Sequence, residues 1–255
     1  MDKRLRAFGV ALLTVALAGC AGSPQNTSKP ANERAKLAAL NTEIAVQYMQ
    51  NREFQTAKDK LDRALELDPQ NVDTHNTFGL LYAVLGEHDK AEAAFKKALS
   101  IDPNNSSALN NYGQFLCQRK RYEEGEKLFM KAVENPLYRN AESAYNNAGV
   151  CAMAEGKLQD AETYFRRALE IDPTLAPALL PMVDISLQQA RGPQATAYLK
   201  RYFEVGPRSP RALWLGVQVA RLNADRDAEA SLGLELERNF PDSPQTKLLL
   251  DSRPQ

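Results

Sequence analysis

The sequence has few of the side chains that usually perform chemistry. It contains two histidines, three cysteines and one tryptophan. The motifs HExxH, GxSxG and the phosphate-binding P-loop are absent, and these motifs mark many metalloproteases, hydrolases and nucleotide-binding enzymes. Cys117 and Cys151 have no histidine nearby in the sequence, which argues against a zinc site. We therefore predict a binding protein without a catalytic site, a metal or a cofactor.

An excess of charge of either sign is also lacking, since 32 basic residues balance 32 acidic residues. The first 19 residues hold three basic residues and one acidic residue, so their removal would leave a net charge of −2. Proteins that bind nucleic acid usually have a marked positive excess, and we expect no such partner. Alanine, leucine, glutamate and lysine are abundant and runs of β-branched residues are few, which favours an all-α fold.

The first twenty residues have the layout of a secretory signal peptide. A basic start precedes an apolar stretch from Ala7 to Leu17, which is shorter than the about 20 residues that span a bilayer. The stretch ends in Leu17-Ala18-Gly19-Cys20, which resembles the bacterial lipobox. The alternative is an ordinary signal peptide with a chance cysteine. The resemblance implies a signal peptide over residues 1–19 and covalent diacylglycerol and N-acyl chains on Cys20.

The residues after Cys20 predict where such a lipoprotein would reside. Position 21 is Ala and not Asp, which by resemblance to sorted lipoproteins implies the periplasmic face of the outer membrane. Residues 21–32 are rich in Ser, Pro, Asn and Gly, a composition typical of flexible linkers. We therefore expect residues 20–37 to form a lipidated tether.

Six prolines indicate an internal repeat over the rest of the chain. They recur at steps of 34, 33, 37, 34 and 34 residues, at Pro69, Pro103, Pro136, Pro173, Pro207 and Pro241. This period resembles the tetratricopeptide repeat (TPR), a pair of antiparallel helices A and B. Small residues such as Gly79 on helix A and Ala91 on helix B would allow close crossing, and a large residue such as Phe95 would fill the space between them.

The resemblance predicts a right-handed TPR superhelix over residues 38–241. Its six repeats would span 38–71, 72–105, 106–141, 142–175, 176–209 and 210–241, and residues 242–255 would form a C-terminal cap. We expect left-handed residues at Asn51, Gly86, Gly156 and Asn223, between helices A and B. Pro177 and Pro181 predict a short or kinked helix A in the fifth repeat.

The TPR resemblance also implies a partner-binding site, because helix A lines the concave surface in this family. The expected groove residues are Thr42, Val46, Met49, Asn76, Leu80, Val84, Asn110, Gln114, Asn146 and Val150. The three asparagines recur at one repeat position, where their amides could bind the backbone of a peptide, or solvate helix A and cap it locally. The apolar residues could bind a partner or pack against neighbouring helices.

Two further features of helix A bear on the ligand and on redox chemistry. The basic residues with which some TPR proteins bind a terminal carboxylate are replaced here by Thr, Val and Asn, so we expect an internal or amphipathic segment as ligand. Cys117 and Cys151 lie on helix A of adjacent repeats in an oxidising compartment. Their predicted faces differ, which argues against a disulfide without excluding it.

A lipobox followed by six TPRs resembles the PilF/PilW family of type IV pilus biogenesis lipoproteins. This resemblance implies a pilotin, which binds the type IV pilus secretin and promotes its outer-membrane localisation and multimerisation. A monomer is expected. The alternative is a TPR lipoprotein scaffold for peptidoglycan hydrolases or for the outer-membrane β-barrel insertion machinery.

Overall fold

The computed structural model describes residues 30–252, and the expected signal peptide and Cys20 lie outside this range. Thirteen α-helices and no strand form the described part of the chain. The helices are α1 (Ala31–Gln50), α2 (Phe54–Leu67), α3 (Val72–Val84), α4 (His88–Ile101), α5 (Ser106–Gln118), α6 (Tyr122–Val133), α7 (Ala141–Glu155), α8 (Leu158–Ile171), α9 (Ala176–Gln188), α10 (Gly192–Val205), α11 (Pro210–Leu222), α12 (Arg226–Asn239) and α13 (Pro244–Asp251).

The first twelve helices form six antiparallel pairs, and the TPR fold is confirmed. In each pair the odd-numbered helix is helix A and the even-numbered helix is helix B. Each helix A has Cα atoms within 8 Å of the helix A of the next repeat, whereas successive B helices do not come that close in the described residues. The A helices therefore line the inner, concave surface and the B helices form the outer one.

Close crossing within a pair depends on glycines that face phenylalanine rings. A Cβ atom at Gly79 would lie 2.5 Å from the Phe95 ring, and a Cβ at Gly149 would lie 2.7 Å from the Phe165 ring. Both rings are fully buried. The glycines thus let the helix backbones approach until the ring fills the space between them.

Part of the expected tether is helical, which corrects the prediction for residues 31–37. Helix α1 begins at Ala31, and Ala38 is already fully buried against the repeat. The Arg34 guanidinium Nε donates a hydrogen bond of 3.0 Å to the carbonyl oxygen of Leu67, the last residue of α2. This contact satisfies a carbonyl group at the end of α2. It also holds the first turn of α1, which precedes the predicted start of the first repeat at residue 38, against α2.

The left-handed residue between helices A and B lies one position later than two of the asparagines suggested. Asn51 and Asn223 have φ of −80° and −92°, so the prediction for them was wrong, whereas Gly86 and Gly156 have positive φ as expected. In each of the six repeats, one residue between helices A and B has positive φ. In the described residues these are Arg52, Gly86, Lys120, Gly156, Ala190 and Ala224.

The fifth repeat keeps a helix A of ordinary length. Helix α9 has 13 residues, as α3 and α5 do, although Pro181 lies inside it. Pro177 is in the first turn, where a helix needs no amide donor. The expected shortening was therefore wrong, and the alternative, a kinked helix, stays a prediction.

Helix α13 packs on the last repeat. Leu249 is buried against Leu213, Val217 and Leu236, while Leu248 and Leu250 remain half-exposed. An end helix of this kind shields the apolar face that a further repeat would otherwise cover.

Two helical glycines test the crossing geometry. We expect Gly149→Ala to lower the free energy of unfolding by about 1–3 kcal/mol, because the methyl group would collide with the Phe165 ring. Gly233→Ala is the matched control, since its Cβ would meet Leu249 at 3.4 Å, an ordinary contact. Alanine there should stabilise α12 by about 0.5–1 kcal/mol. Urea unfolding would measure both changes, and equal effects would contradict this account.

Candidate partner-binding groove

The ten expected groove residues divide into an exposed set and a buried set. Val46, Val84 and Val150 are 38%, 63% and 50% exposed, and Gln114 is also exposed. Met49, Leu80 and Asn146 are partly buried. Thr42, Asn76 and Asn110 are at most 8% exposed, so they are not available to a partner.

The buried polar residues instead connect helix A of one repeat to helix A of the next. The Thr42 and Thr74 hydroxyl oxygens are 2.7 Å apart. The Asn111 amide Nδ2 donates to the Asn76 oxygen at 3.2 Å, and the Asn147 amide donates to the Asn110 oxygen at 3.0 Å. The prediction that Asn76 and Asn110 bind peptide backbone, or cap helix A locally, is therefore corrected: their amide oxygens stabilise the register between repeats.

This series of amide contacts ends at the fifth repeat. The Asn146 amide oxygen is buried and accepts no hydrogen bond in the described residues. The residue that corresponds to Asn111 and Asn147 in the next helix A is Pro181, which has no amide to donate. Pro181 thus marks the point at which the contacts between A helices change character.

Cys117 and Cys151 form a disulfide, with their Cα atoms 5.6 Å apart. It joins α5 to α7, next to the 37-residue step from Pro136 to Pro173, the longest between the repeat prolines. The differing faces of the two cysteines had argued against a disulfide, and that inference was wrong. Successive A helices contact each other through opposite faces, so two cysteines on different faces can meet. Gly125, where four of the other five repeats have alanine, provides the necessary space: a Cβ there would lie 2.6 Å from the Cys117 sulfur.

An open cleft lies between α3 and α5 on the concave surface. Its volume is about 220 Å³, and it is lined by Leu80, Ala83, Val84, Phe95, Asn111, Gln114, Phe115 and Gln118. The Phe95 and Phe115 rings pack at 5.6 Å between centroids and form the floor. None of these residues is charged.

Beyond Pro181 the concave surface is more charged. Asp184, which corresponds to Val150 in the preceding repeat, forms a salt bridge with Arg211 between α9 and α11. The Arg221 guanidinium lies 5.6 Å from the centroid of the Trp214 ring and also pairs with Glu229. The apolar and amide-lined part of the groove therefore belongs to the first four repeats.

A carboxylate network fixes α5 against α4 and α6. The Glu92 carboxylate accepts hydrogen bonds from Lys96 at 2.8 Å, from Arg121 at 2.9 Å and from the Tyr112 hydroxyl at 3.0 Å. These donors, Lys96 first, lower the pKa of Glu92 from 4.5 to about 2. Burial and then the bond to Glu92 raise the pKa of Tyr112 to about 12. Tyr112 also stacks on Phe95, so the network positions one wall of the cleft relative to its floor.

Comparisons with known proteins agree with the repeats. A tetratricopeptide repeat family model matches residues 72–105 and 143–175, and a second such model matches residues 94–127. The type IV pilus assembly protein PilF of Pseudomonas aeruginosa is 32% identical over 240 residues, which are 94% of this chain and 95% of that protein. The chain belongs to the PilF/PilW family of type IV pilus biogenesis proteins.

Solved structures of two PilF/PilW proteins resemble the chain closely. Pseudomonas aeruginosa PilF superposes with a TM-score of 0.80 at 29% identity, covering 87% of this chain and 100% of its own. PilW, described as a widely conserved type IV pilus biogenesis factor, gives 0.75 at 30% identity, covering 84% and 99%. The chain is thus a TPR protein of a pilus biogenesis family, and that family is not an enzyme family.

Within residues 30–252, no group of three or more His, Cys, Asp or Glu side chains is arranged to hold a metal ion. Within the same residues, no helix combines the length and apolar character needed to cross a membrane.

The Glu92 network predicts a pH-dependent stability. The folded-state pKa of about 2 lies below the ordinary 4.5, so the stabilisation is complete above about pH 4.5 and is lost as the pH falls toward 2. Glu92→Gln should lower the free energy of unfolding at pH 7 by about 1–3 kcal/mol. The difference from wild type should shrink in urea titrations at pH 4 and then pH 3.

Glu66→Gln is the control, because Glu66 pairs with Arg63 on an exposed surface of α2. Such a pair contributes about 0–1 kcal/mol. If the Glu92→Gln effect were the same at pH 7 and pH 3, the ionised network would not be its cause.

Proposed function

We propose that this chain is a lipid-anchored pilotin. It binds the secretin subunit of the type IV pilus and promotes localisation and multimerisation of the secretin in the outer membrane. Membership of the PilF/PilW family supports a role in pilus assembly, and the concave surface supports recognition of a protein segment.

The proposal depends on the exposed apolar surface of the groove in the first four repeats. Val46 on α1, Val84 on α3 and Val150 on α7 expose apolar surface, and the intervening helix A, α5, has the exposed Gln114. Apolar surface gathered on one concave face is typical of a binding site. A secretin subunit before assembly exposes segments that pair only in the finished ring, and such a surface suits them.

The anchor is proposed from the sequence alone, since Leu17 to Cys20 lie outside the described residues. Each buried CH₂ group contributes about 0.8 kcal/mol, so three acyl chains on Cys20 would retain the protein at the membrane. Ala21 favours the outer membrane, and the protein acts there as a monomer. Anchor and groove together would deliver the secretin to the membrane in which it assembles.

The anchor gives the decisive experiment. The gene is deleted in its host and complemented with wild type or with Cys20→Ser, and secretin multimers are scored in separated inner and outer membranes. Wild type should restore multimers in the outer membrane. Cys20→Ser should leave them absent or in the inner membrane, because the groove would still bind the subunit without directing it.

The circular dichroism of purified Cys20→Ser serves as the control, and it should match that of the wild-type helices. Outer-membrane multimers that persist unchanged in the Cys20→Ser strain would defeat the delivery mechanism. If the deletion itself left multimers unchanged, and the protein co-purified with peptidoglycan hydrolases or with the β-barrel insertion machinery, the scaffold function would replace the pilotin.

A further inference from the structure

The cleft between α3 and α5 has two chemically different walls. Helix α3 contributes the apolar side chains of Leu80, Ala83 and Val84. Helix α5 contributes three amides, from Asn111, Gln114 and Gln118. An occupant is therefore offered apolar contact on one side and hydrogen bonds on the other.

The lining also selects by charge. No Lys, Arg, Asp or Glu side chain lines this cleft. A charged group that entered it would lose water without gaining an ionic partner, which is costly. The part of the partner that fits is uncharged.

The side-chain amides of Gln114 and Gln118 are free to bind a partner, and the two residues lie one helical turn apart. Gln114 and Gln118 are exposed, and the side-chain amide of neither makes a hydrogen bond within residues 30–252, whereas the Asn111 amide already donates to Asn76. Four residues along an α-helix advance about 6 Å. Two residues of an extended chain advance about 6.6 Å, and their main-chain groups point to the same side. The amides of Gln114 and Gln118 thus match alternate residues of an extended peptide.

We propose that this cleft binds an extended, uncharged segment of the partner. One apolar side chain of the segment lies against Leu80 and Val84. Gln114 and Gln118 pair with the main chain of alternate residues along one edge. The proposal rests on the proposed function for the identity of the partner, and it specifies the chemistry that the groove recognises.

A helical ligand fits this cleft less well. The main-chain groups of a helix are bonded within the helix, so it offers the amide wall no main-chain partner except at its ends. An extended segment has a free N–H and C=O on every second residue of each edge. The amide wall therefore distinguishes a strand from an amphipathic helix.

Short peptides test this directly. The probes are acetyl-Gly-Thr-Thr-X-Thr-Thr-Gly-amide with X as Leu, Ala or Lys, and a Leu peptide N-methylated on its main chain. Each is titrated into the mature chain, residues 20–255 with Cys20→Ser, while NMR follows the Leu80 and Val84 methyl groups and the Gln114 and Gln118 amides. The Leu peptide should shift these signals, and the Ala, Lys and N-methylated peptides should bind about tenfold more weakly or less.

The double variant Gln114→Ala/Gln118→Ala should weaken binding of the Leu peptide by about tenfold. Gln188→Ala is the matched control, because Gln188 occupies the position of Gln118 on α9, and it should change nothing. Equal binding of the Leu and Lys peptides, an unaffected double variant, or no shift of the cleft signals would overturn the proposal.

These titrations contain no secretin, so the two proposals can fail separately. Multimers lost on gene deletion without peptide binding would remove the strand-binding cleft and leave the pilotin. Peptide binding as described with unchanged multimers would support the cleft and remove the secretin as its partner.

Discussion

The close crossing of helix A over helix B at a small residue is the contact on which the rest of this structure depends. Gly79, Gly113 and Gly149 admit the rings of Phe95, Phe129 and Phe165, and each ring fills the space that two helices would otherwise leave empty. With the pairs closed in this way, the backbones of successive A helices lie closer together than those of successive B helices. The curvature that results creates the concave surface, and the α3–α5 cleft has Phe95 as part of its floor.

Contacts between A helices then divide the concave surface into two regions. In the first four repeats Thr42, Asn76 and Asn110 bond across the junctions, and the disulfide joins α5 to α7. Because these buried groups satisfy one another, the exposed positions between them are free for a partner. At Pro181 the amide contacts stop, and the Asp184–Arg211 salt bridge joins the next pair of A helices instead.

The sequence was sufficient for the repeats because period, small residues and prolines act within one helix pair. It was insufficient where the decisive neighbour lies in another repeat. Asn76 looks like a solvent-facing groove residue until Asn111 is placed against it, and Cys117 meets Cys151 only because opposite faces of successive A helices are in contact. Gly125 was a signal that could have revealed the disulfide, since an alanine would occupy the space of the Cys117 sulfur. Alanine disfavours positive φ, so residue preference alone would not place Ala190 and Ala224 in this conformation. Their position in the repeat, between helices A and B, requires it.

The central claim is that the partner binds on the concave surface of the first repeats, and cross-linking in the living host tests it most directly. A photoreactive benzoylphenylalanine would be placed at Val84, in the cleft, or at Leu137, which is 85% exposed in the turn between α6 and α7. Both sites are open to solvent, so accessibility alone would favour Leu137. The account predicts a cross-link to the secretin from position 84 and none from position 137. Cross-links from position 137 alone would contradict it.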